Sequence, residues 1–222
     1  MNRQFTLKGN LCLTSAVISM LALLLACPAW ATYKGQNGRI AFTANTTGTW
    51  QLYTMNPDGS DVLQVTNLPP TDNCCWLPDY SPDGQGIVFV HDMTGALELY
   101  VVNSDGTGLT QLTADGSLNL FPRWSPDGTQ MVFYSQQNTA RPTSIWVANT
   151  DGSDLKRLTR PKQLVAGNPV YSPDGTKILF NGGLLSEGPV QHLFEMNPDG
   201  TGVSIVSECK DGCPLPDWGA KQ

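Results

Sequence analysis

Four cysteines in the body of the chain could form disulfide bonds or hold a metal ion. Two of the six cysteines, Cys12 and Cys27, lie in an apolar leader, and the others fall in two close groups: Cys74, Cys75, Cys209 and Cys213. An even number favours disulfide bonds if the chain is exported. A bond between the two groups, a local bond within Cys-x-x-x-Cys and a vicinal bond within Cys-Cys all remain open. Neither spacing is the Cys-x-x-Cys of common zinc sites, so we expect no metal.

Histidines and carboxylates give little support for catalysis. The chain has two histidines, His91 and His192, at different positions of a repeated pattern. His192 stands where the sister repeats have Gln51, Glu98 and Ser144, which we interpret as a surface position. A metal-dependent hydrolase or lyase needs a cluster of histidines and carboxylates, and no Gly-x-Ser-x-Gly nucleophile elbow occurs. We therefore expect a protein that is not an enzyme, with no catalytic residues and no cofactor.

The most frequent polar motif is a four-residue turn that ends in Asp-Gly. Ser-Pro-Asp-Gly begins at Ser81, Ser125 and Ser172, and Asn-x-Asp-Gly begins at residues 56, 103, 149 and 197. Oxygen ligands at this spacing suggest calcium, but no distal acidic residue completes an EF-hand-type loop. Turn chemistry explains the motif, because Pro presets φ at the second position and Gly accepts a left-handed conformation at the last.

The two series of turns recur at nearly the same interval and define a repeat. The Ser-Pro-Asp-Gly turns start 44 and 47 residues apart. They join short apolar segments, such as Ile-Val-Phe after Gly86, that suit strands covered on both faces. Each unit reads as four strands in the order Pro-x-aromatic, apolar, aromatic and Leu-Thr, and no helical periodicity is present. A four-stranded unit of this length, repeated along the chain, predicts an all-β fold and a small β-propeller.

The repeat is incomplete at both ends in complementary ways. The first unit starts at its second strand, near Gly38, and the segment Leu-Pro-Asp-Trp from Leu215 matches the start of the unit at Leu77. We therefore expect the C-terminal segment to pair with the N-terminal blade and close a ring of four blades, which would hide the sheet edges. A dimer that forms a larger ring is the alternative, because four blades is the small end of the range.

The repeated phrase resembles a known family. Pro-x-[Trp/Tyr]-Ser-Pro-Asp-Gly-x-x-Ile-x-Phe, followed by Asn-x-Asp-Gly and Leu-Thr, is similar to the WD40-like Pro-Asp repeat of TolB-type β-propellers. The resemblance covers three full repeats and two partial ones. It implies a non-catalytic binding platform in the cell envelope. It names no partner, because the motif residues build turns and blade packing.

Function is expected in the loops that are not repeated. Strands alternate in direction, so the Asp-Gly turns share one face of the propeller and the variable loops share the other, and variable loops on a rigid scaffold usually carry function. These loops offer one aromatic and several polar binding candidates: Asp72, Trp76, His91, Asp92, Gln137, Asn138, Arg141 and Arg160. Such a mixed surface suits a protein partner or a glycan.

The first 31 residues have the layout of a secretory signal peptide. Arg3 and Lys8 precede an apolar run that ends in Ala-Trp-Ala at Ala31, the charged start and small-residue cleavage site of such signals. We expect cleavage after Ala31 and a propeller domain over residues 32–222. A lipobox-like Leu-Leu-Ala-Cys makes a lipid anchor at Cys27 the alternative.

These features lead to ranked hypotheses for function. Loss of Arg3 and Lys8 would take the net charge from −6 to −8, which argues against a nucleic-acid partner. The first hypothesis is an exported protein-binding scaffold, periplasmic or secreted, or anchored as a lipoprotein. A propeller that binds a glycan or a small ligand through Trp76 is the second, and a propeller hydrolase or lyase is the third. The sequence leaves the oligomeric state and the identity of the partner open.

Overall fold

A computed structural model of the protein describes residues 38–46, 48–69, 76–137, 142–160, 163–188, 190–209 and 215–218. All the regular secondary structure in these ranges is β-strand, as the sequence predicts. The strands are β1 (Ile40–Ala44), β2 (Gln51–Met55), β3 (Leu63–Gln64), β4 (Trp76–Tyr80), β5 (Gly86–His91), β6 (Glu98–Asn103), β7 (Thr110–Gln111), β8 (Leu118–Trp124), β9 (Gln130–Gln136), β10 (Ser144–Asn149), β11 (Lys156–Arg157), β12 (Leu164–Tyr171), β13 (Ile178–Leu184), β14 (Gln191–Met196) and β15 (Ser204–Cys209). No helix among the described residues could cross a membrane.

The strands form four antiparallel sheets in chain order, which are the four blades of a small β-propeller. Blade 1 is β1-β2-β3, blade 2 is β4-β5-β6-β7, blade 3 is β8-β9-β10-β11 and blade 4 is β12-β13-β14-β15. In each blade the strands are hydrogen-bonded in sequence order, which the short Asp-Gly turns allow. The predicted all-β propeller architecture is therefore confirmed.

The Ser-Pro-Asp-Gly turns are closed by their own side chains. In the turn of blade 3, Ser125 Oγ donates to Asp127 Oδ1 at 2.6 Å and accepts from the backbone N–H of Gln130 at 2.9 Å. Gly128 takes a φ of 71°, which a residue with a Cβ rarely adopts. The turns at Ser81 and Ser172 repeat the same contacts. The repeated phrase therefore specifies a turn and needs no bound ion.

The hydrophobic core formed by the described residues consists of three clusters, and each lies between two successive blades. Ile87 and Phe89 of β5 pack toward blade 1, whereas Val88 and Val90 of the same strand pack toward blade 3. A third cluster, which includes Phe180, joins blades 3 and 4. Because alternate residues of a strand point to opposite faces, strands that are apolar at every position are buried on both sides. This explains why the β5 segment has no polar alternation.

Three of the blade contacts are tight at the backbone. A Cβ added at Gly106, in the Asn-x-Asp-Gly turn of blade 2, would lie 2.6 Å from the carbonyl oxygen of Val65 in blade 1. Gly152 and Gly200, the equivalent glycines of blades 3 and 4, face the preceding blade in the same way at 2.7 Å and 2.9 Å. A Cβ added at Gly59, the equivalent residue of blade 1, would have no atom of another residue within 4 Å. In the described part of the chain, the turn of blade 1 therefore meets no preceding blade.

The expected pairing of the C-terminal segment with blade 1 is not seen. Blade 1 has three strands among the described residues, and residues 215–218 are not part of a sheet. Burial raises the pKa of Asp79 in β4, and the charge of Asp217 in this segment raises it further. Closure of the ring by this segment stays a prediction.

The Leu-Thr strands of blades 1, 2 and 3 are short. The segments that follow the Asn-x-Asp-Gly turns pair over two residues in blades 1, 2 and 3. In blade 1 the ladder ends because the N–H groups of Val65 and Thr66 both approach the carbonyl oxygen of Leu52. The hydroxyl of Thr66 then accepts from the N–H of Leu52 at 2.9 Å. The Thr side chain therefore replaces the next backbone hydrogen bond and ends the strand.

Candidate binding face

The loop face is the end of the propeller where the variable segments lie. It comprises the described parts of the connections within blades, at residues 45–46, 48–50, 92–97, 137, 142–143, 185–188 and 190, and of the connections between blades, at residues 65–69, 112–117, 158–160 and 163. Strand alternation places all of these segments at the same end of the blades. The opposite end carries the Asp-Gly turns, which we call the turn face.

Four large apolar side chains of the described chain are exposed on the loop face. Trp50, directly before β2, is 37% exposed, and Trp76, at the start of β4, is 39% exposed. Val165, at the start of β12, is 37% exposed, and Leu185, directly after β13, is 48% exposed. Because these residues come from blades 1, 2 and 4, the apolar surface is not confined to one loop. Trp76 was a predicted binding residue, whereas Trp50 was missed.

The exposed apolar residues near the turn face differ in kind. They are aliphatic, and four of them stand at one repeated position, the third residue after the glycine of the Asn-x-Asp-Gly turn: Val62, Leu109, Leu155 and Val203. A position that recurs in every blade is part of the scaffold. Both exposed tryptophans of the described residues lie on the loop face, and tryptophan is the residue most enriched at binding hot spots.

The polar residues predicted for the loop face have mixed placements. Gln137 and Arg160 are exposed, at the ends of β9 and of the Leu-Thr segment of blade 3. The side chain of Asp92 is 19% exposed. Asp72, Asn138 and Arg141 lie outside the described residues. Gln137 and Arg160 are therefore exposed on this face, and their role in binding stays a prediction.

His91 is not a surface residue, so this part of the site prediction is wrong. It is the last residue of β5, it is 1% exposed, and its ring packs edge-on against Tyr100 at 5.8 Å. The backbone N–H of Met93 donates to His91 Nδ1 at 2.9 Å, so the neutral ring carries its proton on Nε2. The imidazole thus terminates the strand by accepting a hydrogen bond from the next loop.

The position of His192 in the repeat is also buried, which corrects its assignment to the surface. Gln51, Glu98, Ser144 and His192 are 2%, 1%, 3% and 6% exposed. We call this position the anchor position, because its side chains hold loops. His192 Nε2 lies 2.8 Å from Glu187 Oε2 in the loop that follows β13. Its ring packs edge-on against Phe194.

Two anchor residues hold the connections between blades. Gln51 accepts from the Thr66 hydroxyl at 2.8 Å and from the Leu68 N–H at 2.9 Å, and it donates to the Leu68 carbonyl. Glu98 accepts from the Thr113 hydroxyl, from the Gly116 N–H at 2.8 Å and from the Asn119 amide at 2.8 Å. A buried carboxylate is tolerated here because all its neighbours are donors. Side chains at the anchor position therefore hold these connections in place through buried hydrogen bonds.

A charged contact links the first strands of blades 2 and 3. Asp79 of β4 accepts from the backbone N–H of Trp124 at 3.1 Å and from Arg123 Nη1 at 3.3 Å. Burial raises the pKa of Asp79, and the nearby guanidinium opposes that rise. The indole Nε1–H of Trp124 donates to the Asp79 carbonyl at 3.1 Å. The Pro-x-aromatic motif therefore holds one blade against the next.

In the described part of the chain, metal-ligating groups are not concentrated at either face. Among the described residues no group of three or more His, Cys, Asp and Glu side chains is placed to hold a metal ion. Cys209 is disulfide-bonded in the structure. Cys74, Cys75 and Cys213 lie outside the described residues, so the pairing of the four cysteines stays a prediction.

These features together define a β-propeller whose repeated residues are structural and whose variable residues form one exposed face. The family description "TolB beta propeller domain" matches residues 69–214. The chain therefore belongs to the TolB β-propeller family, as its repeated phrase indicated.

Individual proteins are similar over part of their length. The Tol-Pal system protein TolB of Anaeromyxobacter dehalogenans is 31% identical over 107 residues, which is 48% of this chain and 23% of that protein. A structure assigned to TolB of Agrobacterium tumefaciens has 24% identity and a TM-score of 0.63, over 76% of this chain and 60% of that chain. An oligogalacturonate lyase in complex with manganese has 20% identity and a TM-score of 0.54, over 72% and 42%. The chain thus spans about a quarter of the curated relative, and the two structures support the fold alone.

Proposed function

We propose that the protein is an exported, non-catalytic scaffold that binds another protein of the cell envelope through its loop face. The observation that carries this proposal is the exposure of Trp50 and Trp76, with Val165 and Leu185, on one end of the propeller. Exposed apolar groups of this size on a rigid frame suit a protein interface, where tryptophan anchors often dominate the binding energy. Family membership supports the proposal, because the curated relative is a Tol-Pal system protein.

The placement of the two histidines supports a binding role over catalysis. His91 and His192 are buried in different blades, and each has a ring nitrogen engaged with a neighbouring loop. Both therefore act within the scaffold. The lyase neighbour contributes the fold only, so a propeller lyase or hydrolase is the weakest of the three hypotheses.

The location follows from the leader sequence. Residues 1–31 lie outside the described residues, and we propose that they direct export to the periplasm or the exterior and are then removed. Lipidation at Cys27 would instead leave the propeller anchored to a membrane. Both routes place the propeller in an envelope compartment, where its loop face could contact proteins like those of the Tol-Pal system.

Site-specific photocrosslinking in cells tests the proposal. A photoreactive residue is placed at Trp76 or Leu185 on the loop face, and at Leu109, which is 42% exposed, near the turn face as the matched control. We expect one crosslinked species from both loop-face positions and none from the control. The species should disappear in a Trp50→Ala variant that keeps its melting temperature. Equal crosslinking from all three positions, or a species that persists in the Trp50→Ala variant, would contradict the proposal.

A glycan ligand is the second candidate, because exposed indole rings also provide flat apolar surfaces for a sugar ring. A carbohydrate array probed with the wild-type protein and with Trp76→Ala separates the two. Binding on the array that is lost in Trp76→Ala would favour the glycan. An array without signal leaves the protein partner as the function that the loop face supports.

A further inference from the structure

The last strand of blade 4 is much longer than the last strands of the other blades. β15 covers Ser204–Cys209, whereas β3, β7 and β11 cover two residues each. It pairs with β14 on one side, and its other side has no partner strand among the described residues. An open strand of this length presents backbone N–H and C=O groups with which another strand can pair. We call this side of the strand the β15 edge.

The length of β15 follows from side chains that differ between the blades. In blade 1 the Thr66 hydroxyl accepts a backbone N–H of β2 and donates to the anchor residue, and Thr113 does the same in blade 2. In blade 4 the anchor residue His192 is bonded to Glu187 instead. The Ser207 hydroxyl donates to the carbonyl of the next residue. Backbone pairing with β14 therefore continues past Ser207 to the end of β15.

The position of Ile205 also differs from its equivalents in the other blades. Gln64 and Gln111 stand there in blades 1 and 2, and each donates to the backbone carbonyl two residues further on, at 2.7 Å and 2.8 Å. In blade 3 the guanidinium of Arg157 lies 5.8 Å from the centre of the Trp146 ring. Isoleucine has no polar group for either contact. This position therefore turns a polar side chain back onto its own blade in blades 1 to 3, and it presents an apolar one in blade 4.

The β15 edge is lined by exposed β-branched side chains. Val203, Ile205 and Val206 are 45%, 48% and 51% exposed. The strand contains neither lysine nor proline, which are the residues that commonly protect an open edge from pairing. β-branched residues favour the extended conformation of an added strand. The composition of β15 therefore permits pairing on its open side.

The charge around the β15 edge selects among the strands that could pair with it. Glu208 lies in β15, and Glu195 of β14 is opposite Ser204 in the ladder. Lys177 Nζ lies 4.0 Å from Glu195 Oε1, so it offsets one of these two carboxylates. A second copy of the chain would bring the same carboxylates and a net charge of −6, and like charges oppose association. The β15 edge therefore suits a segment that carries positive charge.

We propose that the β15 edge is a second interaction site, which binds an extended, positively charged segment of a partner protein by strand addition. The segment pairs with the open side of β15 and adds one strand to the sheet of blade 4. Its apolar side chains pack against Val203 and Ile205, and a lysine or arginine lies opposite Glu208. In strand addition, main-chain hydrogen bonds supply affinity and alternate side chains supply specificity. The residues of this site lie outside the loop face, so the proposal does not depend on the proposed function.

Fluorescence anisotropy with two labelled peptides and the mature chain, residues 32–222, tests the proposal. The basic probe is Val-Lys-Val-Thr-Val-Lys-Val, and the acidic probe has glutamate in place of lysine. Ile205→Gln introduces the residue that blades 1 and 2 have at this position. Val62→Gln is the matched control, because Val62 is also an exposed aliphatic residue beside a last strand, at 54%. We expect the basic probe to bind the wild type and Val62→Gln equally, and Ile205→Gln roughly 10-fold more weakly.

A charge reversal and hydrogen exchange locate the bound probe. Glu208→Lys should weaken binding of the basic probe and strengthen binding of the acidic one. Amide exchange should become slower in the peptide that covers β15 when the basic probe is added, and it should stay unchanged in the peptide that covers β9. Trp50→Ala, on the loop face, should bind the probe as the wild type does. Failure of this proposal and failure of the proposed function can therefore be distinguished.

Several outcomes would overturn the proposal. Equal affinity for the two probes would remove the role of charge, and wild-type affinity in Ile205→Gln would remove the role of the edge. Absence of binding at about 1 mM of the basic probe would also exclude the site. If sedimentation shows a wild-type dimer that Ile205→Gln dissociates, the occupant is a second copy. If β15 in the free monomer exchanges as slowly as β9, a segment of the same chain already covers the edge.

Discussion

Substitution of Gly106 by alanine tests the contact between blades 1 and 2. The new Cβ would lie 2.6 Å from the carbonyl oxygen of Val65, in a backbone with a φ of 87°. Gly59→Ala is the matched control, because Gly59 has a φ of 83° and a Cβ added there would have no atom of another residue within 4 Å. Left-handed backbone strain costs both variants about 1–2 kcal/mol, and both gain the same small amount from the unfolded state. The clash with Val65 adds about 1–3 kcal/mol to Gly106→Ala alone.

The assay is thermal unfolding of both variants, followed by circular dichroism. For a chain of this size, 1 kcal/mol corresponds to roughly 2–4 °C, so Gly106→Ala should melt about 2–12 °C below Gly59→Ala. Gly152→Ala and Gly200→Ala, with clashes at 2.7 Å and 2.9 Å, should resemble Gly106→Ala. Equal melting temperatures for Gly59→Ala and Gly106→Ala would refute the reasoning. They would mean that a blade also packs on the turn of blade 1.

Three further predictions concern an anchor residue, a turn and the leader. Glu98→Ala should cost about 1–3 kcal/mol, because it removes the acceptor of the buried Thr113 hydroxyl and of the Gly116 N–H, whereas the Asn119 amide keeps other acceptors. Glu98→Gln should cost less, since Gln51 fills the same position in blade 1, and thermal unfolding that ranks the glutamine variant lower would contradict this. Hydrogen bonds lower the pKa of Asp174 to about 2, so its stabilising effect is present above pH 4 and is lost as the pH falls toward 2. Asp174→Asn should therefore reduce the fall in melting temperature over that range, and an unchanged fall would count against the role of this turn. Mass spectrometry of the exported protein should give Thr32 as the first residue, whereas a mature chain that retains residues 1–31 would contradict cleavage after Ala31.

The scaffold was predictable because its signals are local and repeated. Each Asp-Gly turn carries the proline, carboxylate and glycine that set its own backbone, so the turns at Ser81, Ser125 and Ser172 could be assigned one by one. The strands between them followed from residues that are apolar at every position. The lengths of the outer strands were not predictable in this way. A two-residue strand such as β3 ends because the Thr66 hydroxyl takes a backbone partner, and that competition is decided in three dimensions.

The candidate site was less predictable because loop residues lack a repeat to compare with. Trp76 could be identified, since it ends a variable segment between two repeats, two residues before a recognisable Pro-x-aromatic motif. Trp50 precedes β2 in a segment without any motif, and its exposure depends on how the loop of blade 1 folds. The irregular backbone of the first strands could not be predicted either, because a positive φ at Leu77 or Phe121 leaves no mark in residue type. A leucine or a phenylalanine at such a position would ordinarily predict a regular strand.

The anchor position explains why residue type misled the assignment of the histidines. A position that holds glutamine, glutamate, serine and histidine in four repeats resembles a solvated surface, where selection tolerates any polar group. The structure indicates another constraint, which is to place a hydrogen-bonding atom beneath a loop. Gln51 meets it with an amide and Glu98 with a carboxylate, and His192 meets it with Nε2 bonded to Glu187. Each connection offers a different set of donors and acceptors, so each blade requires a different side chain. Chemical variety at one register of a repeat therefore indicates variety among the loops above it, and a histidine found there is evidence about the local loop before it is evidence about catalysis.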